Sequence, residues 1–251
     1  MVTTEVEIRT SAGTVDALLT RPDGTDALPG VLQLTDGMGL RPAHAELSAR
    51  IARNGYAVLT PNIFYRISKA PVFTGELDFT NEKTVQRFRE ITGSVPPEAM
   101  VTDGAAYLDF LSRQPGVRRG PVGVVGFCFA GQFALRVAAA RPDQVAAAAS
   151  FHGGMLVVDG DKSPHLVIPG VKARMYFGHA SNDRSMPVEA IRKLEGALEE
   201  WGGSYQSETY DGATHGWMVP GHRSYHHEHA ERGFIKLMEL LDGTLKVPAG
   251  V

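Results

Sequence analysis

The sequence predicts an α/β protein with a mainly parallel central sheet of about eight strands and helices on both faces. Short runs rich in β-branched and aromatic residues alternate with longer segments of helical periodicity. Several boundaries carry the expected residues, because Pro42 and Pro187 suit the first turn of a helix and Asn54-Gly55 suits a helix end. No internal repeat, linker or low-complexity tail interrupts the alternation, so we expect one domain over residues 1–251.

The elements follow in order along the chain. The first two predicted strands, residues 6–8 and 15–19, are joined by a turn and form an antiparallel hairpin. The other strands are expected at residues 31–34, 57–59, 122–125, 146–151, 174–177 and 204–210. Helices are expected at residues 42–53, 101–112, 132–141, 187–201 and 225–241. Two stretches depart from the alternation of strands and helices. We expect residues 63–97 to form a loop plus a helix beside the site, and residues 158–171 to form an excursion from the sheet edge.

Composition limits the class of protein. A hydrophobic content of 43% and a charged content of 21% are typical of a soluble globular protein, and a net charge of −3 gives no basis for binding nucleic acid or an anionic membrane. The first residues lack the pattern of a signal peptide, and no apolar run approaches the roughly 20 residues that cross a bilayer. We therefore expect a cytoplasmic protein with a small-molecule partner, while the oligomeric state is left open.

The single cysteine lies in an unusual context. Cys128 is flanked by Gly126 and Gly131, follows an apolar strand and precedes a predicted helix. A strand that turns sharply into a helix over small residues is the geometry of a nucleophile elbow, whose central residue is usually serine. A lone buried cysteine is more often a small hydrophobic residue. The elbow context instead favours a thiol nucleophile, and one cysteine excludes an internal disulfide.

A thiol nucleophile needs a base, and the base needs an acid that orients it. Asp183 follows the predicted strand that ends at residue 177, and His215 follows the one that ends at residue 210. The carboxyl ends of parallel strands meet at one edge, and the order nucleophile, acid, base is that of α/β-hydrolases. Taken singly, Asp183 is explained as a helix cap and His215 as a turn residue; together with Cys128 they predict a Cys-His-Asp triad.

The chain resembles the dienelactone hydrolase family of α/β-hydrolases over nearly its whole length. The matching segments are residues 126–131, 178–187 and His215-Gly216-Trp217, with support from the hairpin start, residues 54–57 and Gln114-Pro115. The resemblance implies that Cys128 attacks an ester or lactone carbonyl, that His215 transfers the proton and that Asp183 orients the imidazole, without a cofactor. It also implies that the backbone N–H groups of Phe129 and Gly37 hold the oxyanion.

The loop after the third strand departs from the family pattern. The family has a glutamate there that hydrogen-bonds the resting thiol, whereas this chain has Asp36, whose reach is shorter by about 1.5 Å. A role for Asp36 beside the thiol is expected, and the alternative is that it stabilises its own turn.

The substrate side is less defined. The family binds a substrate carboxylate with one arginine from the middle helix and one shortly after the catalytic histidine; here the candidates are Arg87 or Arg89, and Arg223. Trp217, with Met218, Phe64 and Tyr65, instead predicts an apolar rim. His152, at the end of a strand on the catalytic edge, either lines the pocket or is a hydrogen-bonded structural residue.

Other readings stay open. His222, His226, His227 and His229 suggest a metal site, but no metal-enzyme motif accompanies them, so we expect no metal. A second class of function is a catalytically weak protein that uses the same scaffold to bind a small apolar ligand. A third is a peptidase or serine-type esterase relative whose thiol is incidental.

Overall fold

An eight-stranded sheet organises the protein. The computed structural model describes residues 1–24, 26–73 and 78–246. The strands are β1 (Val2–Thr10), β2 (Gly13–Arg21), β3 (Gly30–Leu34), β4 (Ala57–Pro61), β5 (Val122–Phe127), β6 (Val145–Phe151), β7 (Arg174–Asn182) and β8 (Tyr205–Thr214). Their spatial order is β1-β2-β4-β3-β5-β6-β7-β8. The predicted hairpin is present, since β1 pairs antiparallel with β2 and β2 with β4, whereas the pairs from β4 through β3 to β8 are parallel.

Helices cover both faces of the sheet, as the sequence predicts. They are α1 (Pro42–Arg53), α2 (Glu82–Gly93), α3 (Pro97–Ser112), α4 (Ala130–Ala140), α5 (Val188–Trp201) and α6 (His227–Leu245). Successive residues of a strand point to opposite faces. Accordingly Leu32 and Val124 join a core cluster with α3, α4 and α5, while Val31 and Val125 join a second cluster with α1 and α6. Every residue of β3, β4 and β5 is buried because both faces are covered.

The structure shifts several predicted boundaries. The helix predicted at residues 101–112 is α3, which begins at Pro97, with this proline in its first turn, and not at residue 101. The stretch 63–97 contains α2, and a 3₁₀ helix at Pro164–Gly170 lies in the predicted excursion. The strands β7 and β8 run on to Asn182 and Thr214, several residues past the predicted ends. Asp183 and His215 are therefore the first residues after two neighbouring strands. Across the described ranges, no helix combines the length and apolar character of a membrane span.

Two glycine substitutions test the packing of the fold. A Cβ on Gly126 would lie 2.0 Å from the backbone oxygen of Ala130, which cannot move without displacing α4, whereas a Cβ on Gly196 in α5 would meet no atom within 4 Å. We expect Gly126→Ala to lower the free energy of unfolding by about 3 kcal/mol or more. Gly196→Ala, the matched control, is expected to raise it by about 1 kcal/mol because alanine favours the helix. Urea denaturation measures both, and equal effects would contradict the tight contact at residue 126.

Candidate active site

Cys128 lies in a strained turn between β5 and α4. Its φ of 54° is in the left-handed region, where a residue with a Cβ costs about 1–3 kcal/mol. The turn is tight on both sides: besides the contact at Gly126, a Cβ on Gly131 would lie 2.3 Å from Ser150 Oγ and 2.8 Å from Gly153 Cα. The Cys128 N–H donates to the Phe151 carbonyl at 3.1 Å. These contacts hold the thiol, which is partly exposed, at the carboxyl edge of the sheet.

The structure brings the three predicted side chains together. His215 Nε2 lies 2.9 Å from Cys128 Sγ, and His215 Nδ1 lies 2.6 Å from Asp183 Oδ2. Ser185 adds a contact that the sequence analysis did not identify: its Oγ donates to Asp183 Oδ1 at 2.6 Å and lies 3.2 Å from His215 Nδ1. The Ser185 N–H donates to the same carboxylate oxygen at 2.8 Å. Asp183 is thus fixed from its own loop while it faces the imidazole.

Electrostatic interactions within the group Cys128, His215 and Asp183 shift the pKa values of His215 and Asp183. Burial lowers the pKa of His215, but the negative charge of Cys128 and the hydrogen bonds with Asp183 and Cys128 outweigh it and raise that pKa to about 10. Burial raises the pKa of Asp183, but the hydrogen bonds from His215 and Ser185 hold it below the usual value. The arrangement therefore favours a charged His215 imidazole beside the Asp183 carboxylate.

A cavity of about 670 Å³ opens at the thiol. Its wall is largely apolar, with Met38, Phe79, Phe88, Phe129 and Met155. Among the described residues, the non-glycine residues with positive φ are Cys128, His152 and Met155, and all of them line this cavity. Backbone strain concentrates at functional sites because only surrounding structure can hold it. Its clustering here marks the cavity as the site.

The two predicted oxyanion donors face this cavity. Gly37 and Phe129 both line it, and no hydrogen bond between described residues uses the N–H of either one. A Cβ on Gly37 would lie 2.6 Å from Phe88 Cζ, so the ring lies directly over the Gly37 backbone. Two unused N–H groups beside a nucleophile are the arrangement that stabilises a tetrahedral oxyanion.

Asp36 lines the same cavity as Cys128, and its hydrogen bonds go to groups of its own loop and of the start of α1. Arg41 Nη1 and Nη2 donate to its two carboxylate oxygens at 2.6 and 2.7 Å, and the Met38 N–H donates to Oδ1 at 2.9 Å. Burial raises the pKa of Asp36, but His44 and Arg41 outweigh it and hold that pKa well below the usual range. Within the described ranges the hydrogen bonds of this carboxylate go to Arg41 and Met38 and not to Cys128.

The positions of Trp217, Arg87 and Arg89 correct the expectation that they line the pocket. Trp217 is fully buried and stacks on Tyr210 at 4.1 Å between ring centroids. It therefore belongs to the core cluster that includes α1 and α6. Arg87 and Arg89 are exposed on α2, and Arg87 pairs with Glu90 at 3.6 Å. Residues adjacent in a helix point about 100° apart, so Phe88, which lies between the two arginines, lines the cavity instead.

The remaining predicted substrate residues do line the cavity. Arg223 lies on its exposed rim, and His152 lies in its wall with an exposed fraction of 1%. The His152 ring meets that of His215 edge to face at 5.4 Å, and neither of its ring nitrogens has a hydrogen-bond partner among the described residues. Burial, with repulsion from His215, holds the pKa of His152 well below the usual value, so the ring is neutral. It is a pocket residue and not a hydrogen-bonded structural one.

Several lining residues were missed by the sequence analysis. Phe79 and Phe88 contact each other edge to face at 5.3 Å and replace the expected rim of Phe64 and Tyr65. Phe64 is buried instead, and the Tyr65 hydroxyl bonds to Thr10 and Asp103. Arg184, next to Asp183, also lines the cavity. The Asp-x-Ser spacing at residue 183 could have indicated Ser185, because an aspartate commonly accepts from the second residue after it.

The histidine-rich segment has ordinary structural contacts. His226 stacks on His229 at 4.0 Å, and His229 Nε2 lies 3.0 Å from the Asp211 carbonyl oxygen. In residues 1–24, 26–73 and 78–246, no group of three or more His, Cys, Asp or Glu side chains is placed to hold a metal ion.

The strand order, the elbow after β5 and the edge that gathers residues 128, 183 and 215 define an α/β-hydrolase fold. The dienelactone hydrolase family model matches residues 15–245, so the chain belongs to the dienelactone hydrolase family and is a hydrolase of the ester and lactone class. A carboxymethylenebutenolidase from Rhodococcus opacus is 28% identical over 225 residues, which cover 81% of this chain and 82% of the relative.

Solved structures show the same fold. A dienelactone hydrolase-like promiscuous phosphotriesterase from metagenomic libraries superposes with a TM-score of 0.80 at 19% identity, covering 97% of this chain and 98% of the other. A dienelactone hydrolase from Anabaena variabilis gives a TM-score of 0.66 at 20% identity, with coverage of 96% and 98%. At these identities the likeness concerns the fold.

The raised pKa of His215 predicts a pH dependence of stability. A histidine whose pKa rises from 6.5 to about 10 on folding stabilises the folded state fully below pH 6.5, and the stabilisation is lost as the pH rises through about 10. The difference in unfolding free energy between the wild type and His215→Gln should therefore be largest below pH 6.5 and shrink towards pH 10. Urea denaturation across this range measures it. A difference that does not change with pH would contradict the raised pKa.

Proposed function

We propose that this protein hydrolyses a small ester or lactone by covalent catalysis, with Cys128 as nucleophile, His215 as base and acid, and Asp183 as the group that orients the imidazole. The observation that supports it most directly is the 2.9 Å contact between Sγ and Nε2 in a strained elbow that opens into a cavity. Family membership supports the reaction class, and the Rhodococcus relative's name supports a lactone as one substrate.

In the first half-reaction, the thiolate forms a bond to the carbonyl carbon, and the carbonyl oxygen becomes an oxyanion near the N–H groups of Gly37 and Phe129. When the tetrahedral state collapses, the bond to the ester oxygen breaks, and this oxygen takes the proton from His215 Nε2. The products are an acyl-thioenzyme and an alcohol, which in a lactone stays attached to the acyl group. The donors are fixed before reaction, so they stabilise the charge that develops and cost little reorganisation.

In the second half-reaction, water takes the place of the alcohol. His215 removes a proton from the water, whose oxygen bonds to the acyl carbon, and the carbon–sulfur bond breaks. The product is a carboxylic acid and the thiolate is regenerated. Asp183 holds Nδ1 throughout at 2.6 Å, so the imidazole keeps Nε2 towards the sulfur and the substrate.

The wall of the cavity favours a compact apolar acyl group. Phe88 lies over Gly37, with Phe79 and Phe73 packed against its ring, and Phe129 lies beside it. The exposed side chains of Arg184, next to Asp183, and of Arg223 also line the cavity, and His215 is positioned to protonate the leaving group. We therefore place the acyl group on the phenylalanine side and the leaving group on the histidine side.

The nucleophile is tested by substitution of Cys128. Cys128→Ala removes the only thiol, so hydrolysis of p-nitrophenyl acetate should fall to the background rate while circular dichroism stays unchanged. Wild-type protein quenched during turnover should carry an acetyl group on Cys128, detected by mass spectrometry of the peptide.

Other outcomes distinguish the alternatives. Unchanged turnover in Cys128→Ala, or full activity in Cys128→Ser, would show that the thiol is incidental. A wild-type protein that hydrolyses no ester or lactone of a broad panel, but whose melting temperature rises with an apolar ligand, would identify a binding protein instead.

The acyl side is tested by Phe88→Ala. Removal of the ring opens space above Gly37, so we expect the ratio of kcat/KM for p-nitrophenyl butyrate over acetate to rise by about tenfold, the scale of hydrophobic discrimination in a pocket. Gln86→Ala is the matched control, since Gln86 lies on the same helix, is exposed and contacts Glu90. A ratio that moves equally in both variants would rule out Phe88 as the acyl wall.

A further inference from the structure

The loop that carries Gly37 is held by hydrogen bonds to the side chain and the backbone of Asp36. Asp36 follows β3 directly and is 3% exposed. Its Oδ1 accepts from the Met38 N–H at 2.9 Å, and its backbone carbonyl accepts from the Gly39 N–H at 3.0 Å. Both bonds close the turn around Gly37 without using the Gly37 N–H. The turn therefore leaves the Gly37 N–H unoccupied, directly before two N–H groups that are fixed.

Arg41 fastens the same turn from its far end. Its guanidinium binds both oxygens of Asp36 at 2.6 and 2.7 Å, and Nη1 also donates to the Gly39 carbonyl at 3.3 Å. Arg41 precedes α1, so the fork ties the loop to the start of that helix. A bidentate pair restricts both distance and orientation, which a single hydrogen bond does not.

His44 fixes the base of the turn. The Asp36 N–H donates to His44 Nε2 at 3.3 Å, and the same ring nitrogen lies 3.3 Å from Asp36 Oδ2. The His44 carbonyl in turn accepts from Gln33 and Ser48, at 2.9 and 2.8 Å. The carboxylate is thus held by the Arg41 fork and the Met38 N–H, while His44 holds the Asp36 backbone.

We propose that the Asp36–Arg41 pair positions the oxyanion donor: it holds the turn 36–39 so that the Gly37 N–H points at the developing oxyanion. This assignment rests on the proposed function, because it gives Asp36 a role in the same reaction. Asp36 and Arg41 are positioning residues that act through Gly37. The competing role, a carboxylate that activates the thiol directly, requires an oxygen free to reach Cys128.

The two roles make different predictions for Arg41→Ala. A displaced oxyanion donor should lower kcat and kcat/KM for p-nitrophenyl acetate together, by about tenfold to 10²-fold, with KM nearly unchanged. Alkylation of Cys128 by iodoacetamide needs a thiolate but no oxyanion donor, so its rate and its pH midpoint should match those of the wild type. Added guanidinium should restore kcat in a concentration-dependent manner.

Arg50→Ala is the matched control. Arg50 also binds a carboxylate with both nitrogens, that of Glu231 at 2.7 and 2.6 Å, but Glu231, unlike Asp36, does not line the cavity at Cys128. Its kcat should equal that of the wild type, and guanidinium should not change it. If Arg41→Ala does not fold, the same two quantities, kcat and the alkylation rate of Cys128, are measured for Arg41→Lys. Asp36→Asn should also lower kcat.

The outcomes separate this inference from the proposed function. A wild type without esterase activity would overturn the proposed function and this inference with it. An active wild type, with full kcat in a folded Arg41→Ala, would overturn the inference alone. A parallel loss of alkylation, a shifted alkylation midpoint, or no rescue by guanidinium in a folded variant would also overturn it.

Discussion

The close approach of the β5–α4 turn to its neighbours is the constraint on which the site depends. Gly126 and Gly131 allow contacts that a Cβ would block at 2.0 and 2.3 Å, and these contacts force Cys128 to a φ of 54°. The strain costs about 1–3 kcal/mol, which the surrounding core must offset. In return the thiol lies at the start of a helix, where the backbone dipoles favour a negative charge. Everything else at the site is arranged around that fixed sulfur.

Two buried carboxylates that line the same cavity as Cys128 serve different purposes. Asp183 faces His215 and helps to raise the pKa of the imidazole, whereas Asp36 faces Arg41 and closes a turn. Each is ionised because its partners outweigh the cost of burial. Removing one partner of a buried pair costs about 3–5 kcal/mol, so these loops are held rigidly. Rigid loops keep the Gly37 N–H and the His215 imidazole in place at the cavity.

Much of the fold could be predicted from local pattern because burial on both faces imposes continuous apolar strands and regular helices. The edge position of residues 128, 183 and 215 followed from strand order, since parallel strands end on the same side. The prediction that Arg87, Arg89 and Trp217 line the pocket did not hold. Sequence position near a catalytic residue does not fix which way a side chain points; on α2 the helical turn directs Phe88 inward and both arginines outward.

The sequence by itself determined the α/β architecture, the elbow at Cys128 and the candidates for acid and base, because these depend on periodicity, glycine placement and chain order. Only the tertiary structure decided the 2.9 Å contact to His215, the apolar wall of phenylalanines and the pairing of Asp36 with Arg41. The physical reason is that a carboxylate binds whichever donors the packed fold brings within reach. At Asp36 those donors are the Arg41 fork and the Met38 amide, five and two residues along the chain.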